Sequence, residues 1–199
     1  MSKTIDYYMS ISSPWSYLGH ERFVALAKKY SADINLRVVD LARVFPVSGG
    51  LPLPKRAPQR QAYRMVELKR WKAHLGVGFN PVPKFFPVKG DPAARMVIAA
   101  LPQGADRALA LAGAYMRAAW ADEGDVGDAD TLTSVAAAHG FDGAKLLALS
   151  NEPATQRRYD EFTQHAIDQQ VFGAPWYVYN GEPFWGQDRL SFLEKALAG

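Results

Sequence analysis

The sequence predicts an α/β fold into which an all-α helical domain is inserted. Strand-like segments occur only near the two ends of the 199-residue chain, and the stretch between them is alanine-rich with apolar residues at helical spacing. Glycines and prolines divide that stretch into several helices. The two ends together can form one sheet. We therefore predict an α/β domain from residues 1–43 plus 155–199, and a helical insertion from residues 44–154.

The N-terminal segment predicts a strand, a helix and a second strand. Residues 5–9 are rich in branched and aromatic side chains, which favours a short strand. Ser13 can cap a helix with Pro14 at its first position, and helical spacing extends that helix to about Tyr30. Alternation in residues 34–38 predicts the second strand, which a right-handed crossover makes parallel to the first.

The middle of the chain predicts loops and helices only. Residues 47–58 contain glycines and prolines typical of a loop, and a helix with an apolar stripe follows. Residues 76–92 are again proline-rich, whereas residues 93–149 are helical with interruptions. Asn151 can cap one further long helix.

The C-terminal segment predicts a hairpin followed by a helix. Residues 176–179 and 183–185 flank Asn180-Gly181, a strong signal for a two-residue hairpin turn, and residues 187–197 form the last helix. Without the insertion, the order is β-α-β followed by α-β-β-α. This is the connectivity of the thioredoxin fold, so the α/β domain is predicted to be thioredoxin-like.

Composition excludes several classes of function. The chain has no cysteine, which rules out disulfides, thiolate metal sites and redox chemistry by a thiol of its own. A net charge of +3 without a basic stripe gives no reason to expect a nucleic-acid partner. We see no signal peptide, no membrane-spanning segment and no metal motif, and we expect a soluble cytoplasmic protein.

The segment Ser13-Pro14-Trp15-Ser16 lies where thioredoxin-type proteins carry Cys-x-x-Cys at a helix N-terminus. That helix end stabilises a thiolate, but both cysteine positions are serine here. A thiol supplied by a ligand would explain this, with Ser13 as its hydrogen-bond donor. The simpler interpretation makes Ser13 a helix cap and Ser16 a solvated residue of the first turn.

An activated serine nucleophile is disfavoured because no base is expected near Ser13. His20 lies seven residues along the same helix, about 10 Å away at ~1.5 Å per residue. The other histidines have no motif that would bring them to the site: His74, His139 and His165.

Ala174-Pro175 enters the first late strand, where the thioredoxin fold has a cis-proline. We therefore predict a cis Ala174–Pro175 bond that exposes the backbone of Ala174 as a short strand edge. A peptide-like ligand such as glutathione can pair with such an edge. The alternative is an ordinary strand that starts with proline.

Charged residues near these segments suit the two ends of glutathione. Asp188, at the start of the last helix, suits the ammonium of a γ-glutamyl group, although it can also complement the helix dipole. Lys55, Arg56 and Arg60 are candidates for carboxylates of glutathione or of a substrate. A solvated loop is the alternative for Lys55 and Arg56.

Several motifs, in the same order along the whole chain, resemble the 2-hydroxychromene-2-carboxylate isomerase family. That family is related to kappa-class glutathione transferases and belongs to the DsbA-like group. The motifs are Ser-Pro-Trp-Ser-Tyr-Leu at 13–18, Asp-Leu-Ala-Arg at 40–43, Arg-Trp at 70–71, Val-Phe-Gly-Ala-Pro at 171–175 and Trp-Gly-Gln-Asp-Arg-Leu at 185–190.

The resemblance implies a homodimer that binds glutathione as a cofactor, with Ser13 activating its sulfur. It implies cofactor contacts from residues in both halves of the chain: Arg60, Ala174, Pro175, Trp185, Gln187, Asp188 and Arg189. Arg60 takes the position of a family lysine. The candidate substrate contacts are Trp15, Tyr17, Lys55 and Arg56. Gly49-Gly50 replaces a frequent asparagine, and the following loop is longer than usual.

The resemblance further implies cis–trans isomerisation of a 2-hydroxychromene-2-carboxylate-type aromatic acid, in the degradation of aromatic hydrocarbons. The glutathione thiolate adds to the conjugated alkene, rotation follows, and the thiolate leaves again. Two alternatives stay open: a kappa-like transferase or peroxidase, and a non-catalytic protein that binds glutathione or peptides.

Overall fold

A computed structural model describes residues 3–199, which contain a four-stranded mixed sheet in the order β2-β1-β3-β4. Strand β1 (Lys3–Met9) pairs parallel with β2 (Ala32–Val38) and antiparallel with β3 (Trp176–Tyr179). Strand β4 (Glu182–Trp185) continues the sheet antiparallel to β3. This sheet, assembled from both ends of the chain, confirms the predicted thioredoxin-like α/β fold with a helical insertion.

Helices make up most of the remaining described chain. In order they are α1 (Pro14–Lys29), α2 (Leu41–Ser48), α3 (Pro58–Leu75), α4 (Asp91–Ala100), α5 (Ala105–Trp120), α6 (Ala129–Ala138), α7 (Gly143–Ser150), α8 (Pro153–Asp168) and α9 (Leu190–Ala198). Short 3-10 turns occur at Leu53–Lys55, Leu101–Gln103 and Gln187–Arg189. Over residues 3–199, none of the helices combines the length and the apolar character needed to cross a bilayer.

Helices cover both faces of the sheet. For this reason β1 has large buried side chains at successive positions and not only at every second one. Successive side chains of a strand point to opposite faces. Tyr7 packs against Phe23 of α1, with ring centroids 4.5 Å apart. Tyr8 faces α8, where its hydroxyl bonds His165 Nδ1 at 3.0 Å. Both tyrosines are fully buried.

The predicted hairpin is confirmed, and its turn residues adopt the required conformation. Asn180 and Gly181 have φ values of 50° and 79°, and they connect β3 to β4 directly. Positive φ at both turn residues is typical of a type I′ turn, whose twist matches that of the paired strands.

The structure corrects two local predictions. Val47 lies in α2 and not in a loop, because Asp40 caps that helix by accepting the Ala42 N–H at 2.7 Å. Pro46 lies inside α2 and has no backbone N–H to donate to the preceding turn. The helix of eight residues forms without that hydrogen bond. The second correction concerns Asn151, which ends α7 while Glu152 precedes Pro153 at the start of α8.

The insertion packs onto the thioredoxin part through one continuous apolar core. Trp120 of α5 is fully buried, and its indole N–H donates to the carbonyl of Ile11 at 3.0 Å. The predicted boundaries at 43/44 and 154/155 fall inside α2 and α8. The division into two domains stays a prediction, and buried apolar residues of both parts belong to the same core.

Candidate functional site

Ser13 is the N-cap of α1, and its hydroxyl group lies against the loop that enters β3. Its Oγ accepts the Ser16 N–H at 3.2 Å and donates to the carbonyl of Ala174 at 2.9 Å. The residue is 5% exposed. The predicted cap is therefore confirmed, and the sole proton of this hydroxyl is already engaged. A bound thiolate would have to compete with the Ala174 carbonyl for it.

The Ala174–Pro175 bond is cis, as predicted. The Pro175 carbonyl accepts the Gly186 N–H at 3.0 Å, which links this loop to the end of β4. In the described part of the chain, the Ala174 N–H donates to no acceptor. The structure thus brings together Ser13 and Ala174, two residues 161 positions apart, and leaves one backbone donor at the same place for a ligand.

Ser16 does not behave as the simpler interpretation of the serine motif requires. It is fully buried, and its Oγ accepts the Ser10 N–H at 3.4 Å. The expectation that Ser16 is solvated is wrong, because the first turn of α1 packs over the end of β1. Of the two serines at the cysteine positions, only Ser13 contacts the loop before β3.

Trp185 forms an exposed aromatic surface beside Ala174. It is 52% exposed, and it packs so closely over Gly173 that a Cβ there would come within 2.6 Å of its Nε1. The ring of Phe172 meets it edge-on, with centroids 4.6 Å apart. This arrangement suits the predicted role of Trp185 as a cofactor contact. Phe172 was quoted in the motif at 171–175 but was not among the predicted site residues.

Asp188 lies at the surface at the start of the last helical segment. It accepts a hydrogen bond from Arg189 at 2.9 Å, and both side chains are about half exposed. An exposed pair of this kind contributes at most about 1 kcal/mol, so it does not compete strongly with a ligand. The carboxylate turns back towards Gly186, where an added Cβ would meet it at 2.5 Å. Asp188 is therefore available near the loop that holds Pro175.

The side chain of Gln187 is used inside the protein. Gln187 is buried, and its Oε1 accepts a hydrogen bond from Arg22 of α1 at 2.6 Å. Its Cβ approaches Gly19 so closely that no larger residue fits there. The structure does not bring this amide together with Asp188, so a side-chain contact to glutathione is not supported. Gln187 instead fixes the turn that presents Asp188.

The two aromatic residues predicted for the substrate lie on α1 and are partly buried. The Tyr17 hydroxyl donates to the carbonyl of Gly78 at 2.6 Å, and its ring stacks on Phe79. Burial raises the pKa of Tyr17. Trp15 packs against the apolar core. The Tyr17 hydroxyl proton is therefore engaged within the protein, and both residues can offer a ligand aromatic ring surface.

The basic residues predicted from the loop lie in an acid-free cluster that also contains Arg64. Arg56 donates to the Leu51 carbonyl at 2.7 Å, and Arg60 and Arg64 lie one turn apart on α3. Burial and repulsion from Arg60 lower the pKa of Arg56. Burial and repulsion from Arg56 lower the pKa of Arg64. Among the described residues, none of these arginines, nor Lys55, has an acidic partner.

An arginine cluster without acidic partners suits an anion, and the sequence predicted only part of this cluster. Arg64 was not singled out, although its spacing of four residues from Arg60 puts both on one face of a helix. No direct contact joins Lys55, Arg56 or Arg60 to Ser13 in this structure. These residues and the serine therefore form two separate parts of the candidate site.

No histidine in the described chain contacts Ser13, which removes the base that an activated serine needs. His20 is buried, and because a carbonyl can only accept, its Nε2 donates to Leu109 at 3.0 Å. Its Nδ1 then accepts from the Tyr7 hydroxyl at 3.2 Å. Burial lowers the pKa of His20 to about 4. Over the same residues, no cluster of three or more His, Asp or Glu side chains could hold a metal ion.

Comparisons with known proteins agree with this fold. The family model described as DSBA-like thioredoxin domain matches residues 4–198. A Pseudomonas putida protein named 2-hydroxychromene-2-carboxylate isomerase is 33% identical over 97% of this chain and 93% of its own length. Glutathione S-transferase kappa 1 of Caenorhabditis elegans is 25% identical over 97% of this chain and 90% of its own length.

A solved structure of a 2-hydroxychromene-2-carboxylate isomerase superposes with a TM-score of 0.84 at 30% identity. The match covers 98% of this chain and 94% of the solved chain. The likeness therefore includes the helical insertion as well as the thioredoxin part.

Proposed function

The chain belongs to the 2-hydroxychromene-2-carboxylate isomerase family, within the DsbA-like thioredoxin domains, and from this premise we propose that it is a glutathione-dependent cis–trans isomerase of aromatic acids. The proposed substrates are 2-hydroxychromene-2-carboxylate-type acids, and the proposed pathway class is degradation of aromatic hydrocarbons.

One observation supports glutathione dependence most directly. The Ser13 hydroxyl lies at the N-terminus of α1 and 2.9 Å from the carbonyl of Ala174, in a chain that has no cysteine. A helix N-terminus favours an anion, and a hydroxyl can donate to one. Because the protein has no thiol of its own, the thiol must come from a ligand.

The residues around Ser13 fit glutathione. The free Ala174 N–H and the adjacent carbonyl offer a strand edge to the cysteinyl backbone, and Asp188 offers a carboxylate to the γ-glutamyl ammonium. Trp185 and Phe172 cover one side of this edge. The acid-free cluster of Arg56, Arg60 and Arg64 suits a carboxylate of a bound anion.

Bound glutathione would supply a thiolate that adds reversibly to the conjugated alkene, so that the double bond can rotate. The protein's own residues would bind and orient glutathione and stabilise the charge on its sulfur. Ser13 would donate its hydroxyl proton to the sulfur in place of the Ala174 carbonyl, which would favour the negative charge at the N-terminus of α1. Gln187 and Arg22 fix the turn that carries Asp188.

A kappa-like glutathione transferase is the second candidate, favoured by the two kappa-class relatives at 25% and 23% identity. The two reactions differ in whether glutathione is consumed. The test is to incubate the purified chain with a 2-hydroxychromene-2-carboxylate and catalytic glutathione. We expect isomerisation followed by ultraviolet absorbance, with the thiol concentration unchanged. Isomerisation that is as fast without glutathione, or none with it, would contradict the proposal.

We also propose that the chain forms a homodimer and works in the cytoplasm, where glutathione keeps thiols reduced. Sedimentation velocity of the purified chain tests the first of these. A species of twice the mass calculated from the sequence is the expected result, and a monomer at micromolar concentration would contradict it.

Asp188→Asn is expected to weaken glutathione binding by about tenfold, since a charge-assisted hydrogen bond contributes about 1.5–3 kcal/mol and this carboxylate starts partly solvated. The asparagine keeps the size of the side chain and its suitability for a helix start. Titration calorimetry measures the effect, with Glu182→Gln in the neighbouring β4 as the matched control. Equal affinities for the two variants would mean that Asp188 serves only its helix.

A further inference from the structure

Arg22 of α1 contacts both the turn that carries Asp188 and helix α3. One nitrogen of its guanidinium donates to the Oε1 of Gln187 at 2.6 Å and lies 3.5 Å from the Gln187 carbonyl oxygen. The guanidinium carbon lies 6.0 Å from the ring centroid of Trp71 on α3, at the outer limit of cation–π attraction. Within residues 3–199, Arg22 has no carboxylate partner. An amide and an aromatic ring therefore orient this side chain without neutralising its charge.

Gly19 allows α1 to approach the turn closely enough for this contact. A Cβ at Gly19 would lie 2.7 Å from the Cβ of Gln187, so a larger residue would push the helix and the turn apart. Residues three positions apart lie on the same face of a helix, and Gly19 and Arg22 therefore face the turn together. Arg22 thus donates across an interface that has no room for a side chain at Gly19.

A buried tyrosine of β3 lies beside the same contact. The Tyr177 hydroxyl has no hydrogen-bond partner in the described part of the chain, and it would lie 3.1 Å from a Cβ at Gly19. Burial raises the pKa of Tyr177, while among the nearby charges Arg22 lowers it and Asp188 raises it. The guanidinium of Arg22 and the carboxylate of Asp188 therefore both lie near this one hydroxyl.

Two contacts tie the turn that carries Asp188 to the segments packed against it. On one side the Gly186 N–H donates to the Pro175 carbonyl at 3.0 Å. On the side of α1 the donor is Arg22, and the acceptor Gln187 is only 2% exposed. A buried acceptor that loses its donor is costly to the fold. Without Arg22 the turn would therefore shift to bring the Gln187 amide to water, and the adjacent carboxylate would move with it.

We propose that Arg22 is a positioning residue for glutathione, which acts through Gln187 to hold the Asp188 carboxylate where the γ-glutamyl ammonium binds. Trp71 holds the guanidinium in place from the side of α3, which gives a role to the Arg-Trp motif at 70–71. The proposal rests on the proposed function and extends the cofactor site to α1. Because Arg22 makes no bond to the ligand itself, its effect is confined to the ammonium end of glutathione.

The test compares two ligands by titration calorimetry: glutathione, and glutaryl-cysteinylglycine, which lacks only the ammonium group. We expect Arg22→Met to weaken glutathione binding by about fivefold or more, while binding of the analogue changes by less than about twofold. Trp71→Leu should cause a smaller loss with the same preference. Lys28→Met removes an exposed cation of the same helix and is the matched control, which should bind both ligands as the unmodified chain does. Thermal unfolding of each variant checks the fold.

A double-mutant cycle tests whether Arg22 acts through Asp188. In the Asp188→Asn chain, the further change Arg22→Met should weaken glutathione binding by less than about twofold, because the effects of two groups that act as a unit are not additive. Unchanged glutathione binding in Arg22→Met would overturn the proposal, and so would fully additive losses in the cycle. Equal losses for glutathione and the analogue would also overturn it, because Arg22 would then bind the ligand's carboxylate or serve only the fold. Normal binding of both ligands by Trp71→Leu would overturn the part assigned to Trp71.

The proposed function fails separately, in the isomerisation assay, which does not depend on the residue that positions Asp188. A chain that loses glutathione selectively in Arg22→Met but has no isomerase activity would leave this inference standing alone. An unmodified chain that binds no glutathione would overturn both.

Discussion

Ser13→Ala is expected to lower isomerase turnover about tenfold at neutral pH while glutathione stays bound. In the proposed site, glutathione affinity comes mainly from Ala174, Asp188 and the cationic residues, which the substitution leaves in place. The change removes the hydroxyl group that we propose donates to the sulfur. A free thiol has a pKa near ~8.5, and a helix N-terminus lowers it by roughly one unit at most, so a second donor is needed for a thiolate at neutral pH.

The geometry determines the size of this effect. Without a thiolate, Ser13 donates to the Ala174 carbonyl at 2.9 Å, so donation to the sulfur exchanges one bond for another. A bond to a charged group is worth about 1.5–3 kcal/mol and a neutral one about 0.5–1.5 kcal/mol. The difference, roughly 1–1.5 kcal/mol, corresponds to about one unit of thiol pKa. A hundredfold effect would require that the Ser13 hydroxyl proton made no hydrogen bond before the thiolate bound.

The thiolate absorbance of bound glutathione, titrated with pH, measures the expected shift directly. Ser16→Ala is the matched control, because it also removes a buried hydroxyl from the first turn of α1 but one that bonds Ser10 instead of Ala174. Loss of the cap in Ser13→Ala costs about 1 kcal/mol of unfolding free energy, so stability is measured alongside. If the Ser13→Ala protein keeps an unshifted thiol pKa and full turnover, Ser13 acts only as a helix cap and the proposed role in catalysis is wrong.

The elements that the sequence predicted well are those with a local physical cause. Pro14 after a capping serine starts α1, and Asn180-Gly181 supplies the two left-handed residues of the hairpin turn. Helix α2 was missed because the glycines and prolines of residues 47–58 were interpreted as a loop, whereas the Asp40 cap starts a helix that runs to Ser48. The Asp40 cap favours a helix, whereas the glycines and prolines that follow favour a loop. The sequence alone does not show which of these two preferences is stronger.

In the candidate site, too, some contacts could be predicted from the sequence and others could not. Ser13 and Ala174 were predicted to meet because the cis-proline of the thioredoxin fold faces the turn before the first helix, and the hydrogen bond of 2.9 Å shows that they do. The family resemblance implied that Gln187 contacts the cofactor together with Asp188. Its amide instead bonds Arg22, a contact across 165 residues that depends on how closely α1 packs at Gly19.

Acidification is expected to destabilise the protein through His20. Its pKa is about 4 in the folded chain because burial disfavours the imidazolium, against 6.5 for an ordinary histidine. The unfolded chain therefore binds a proton more readily, and the stability that the neutral ring contributes is fully present above about pH 6.5. It is lost as the pH falls from about 6.5 to about 4, by about 3 kcal/mol in all at ~1.36 kcal/mol per pKa unit.

Urea unfolding at pH 7 and at pH 5 measures this loss, of which about 2 kcal/mol is expected in that interval. His20→Gln cannot titrate there, while its amide can still donate to the Leu109 carbonyl and accept from the Tyr7 hydroxyl. The variant should lose about 2 kcal/mol less than the unmodified chain between the two pH values. His139→Gln, at an exposed helix end, is the matched control and should retain the full pH dependence. If His20→Gln and the unmodified chain lose the same stability, the acid sensitivity comes from other groups, and His20 is not held neutral by its buried contacts.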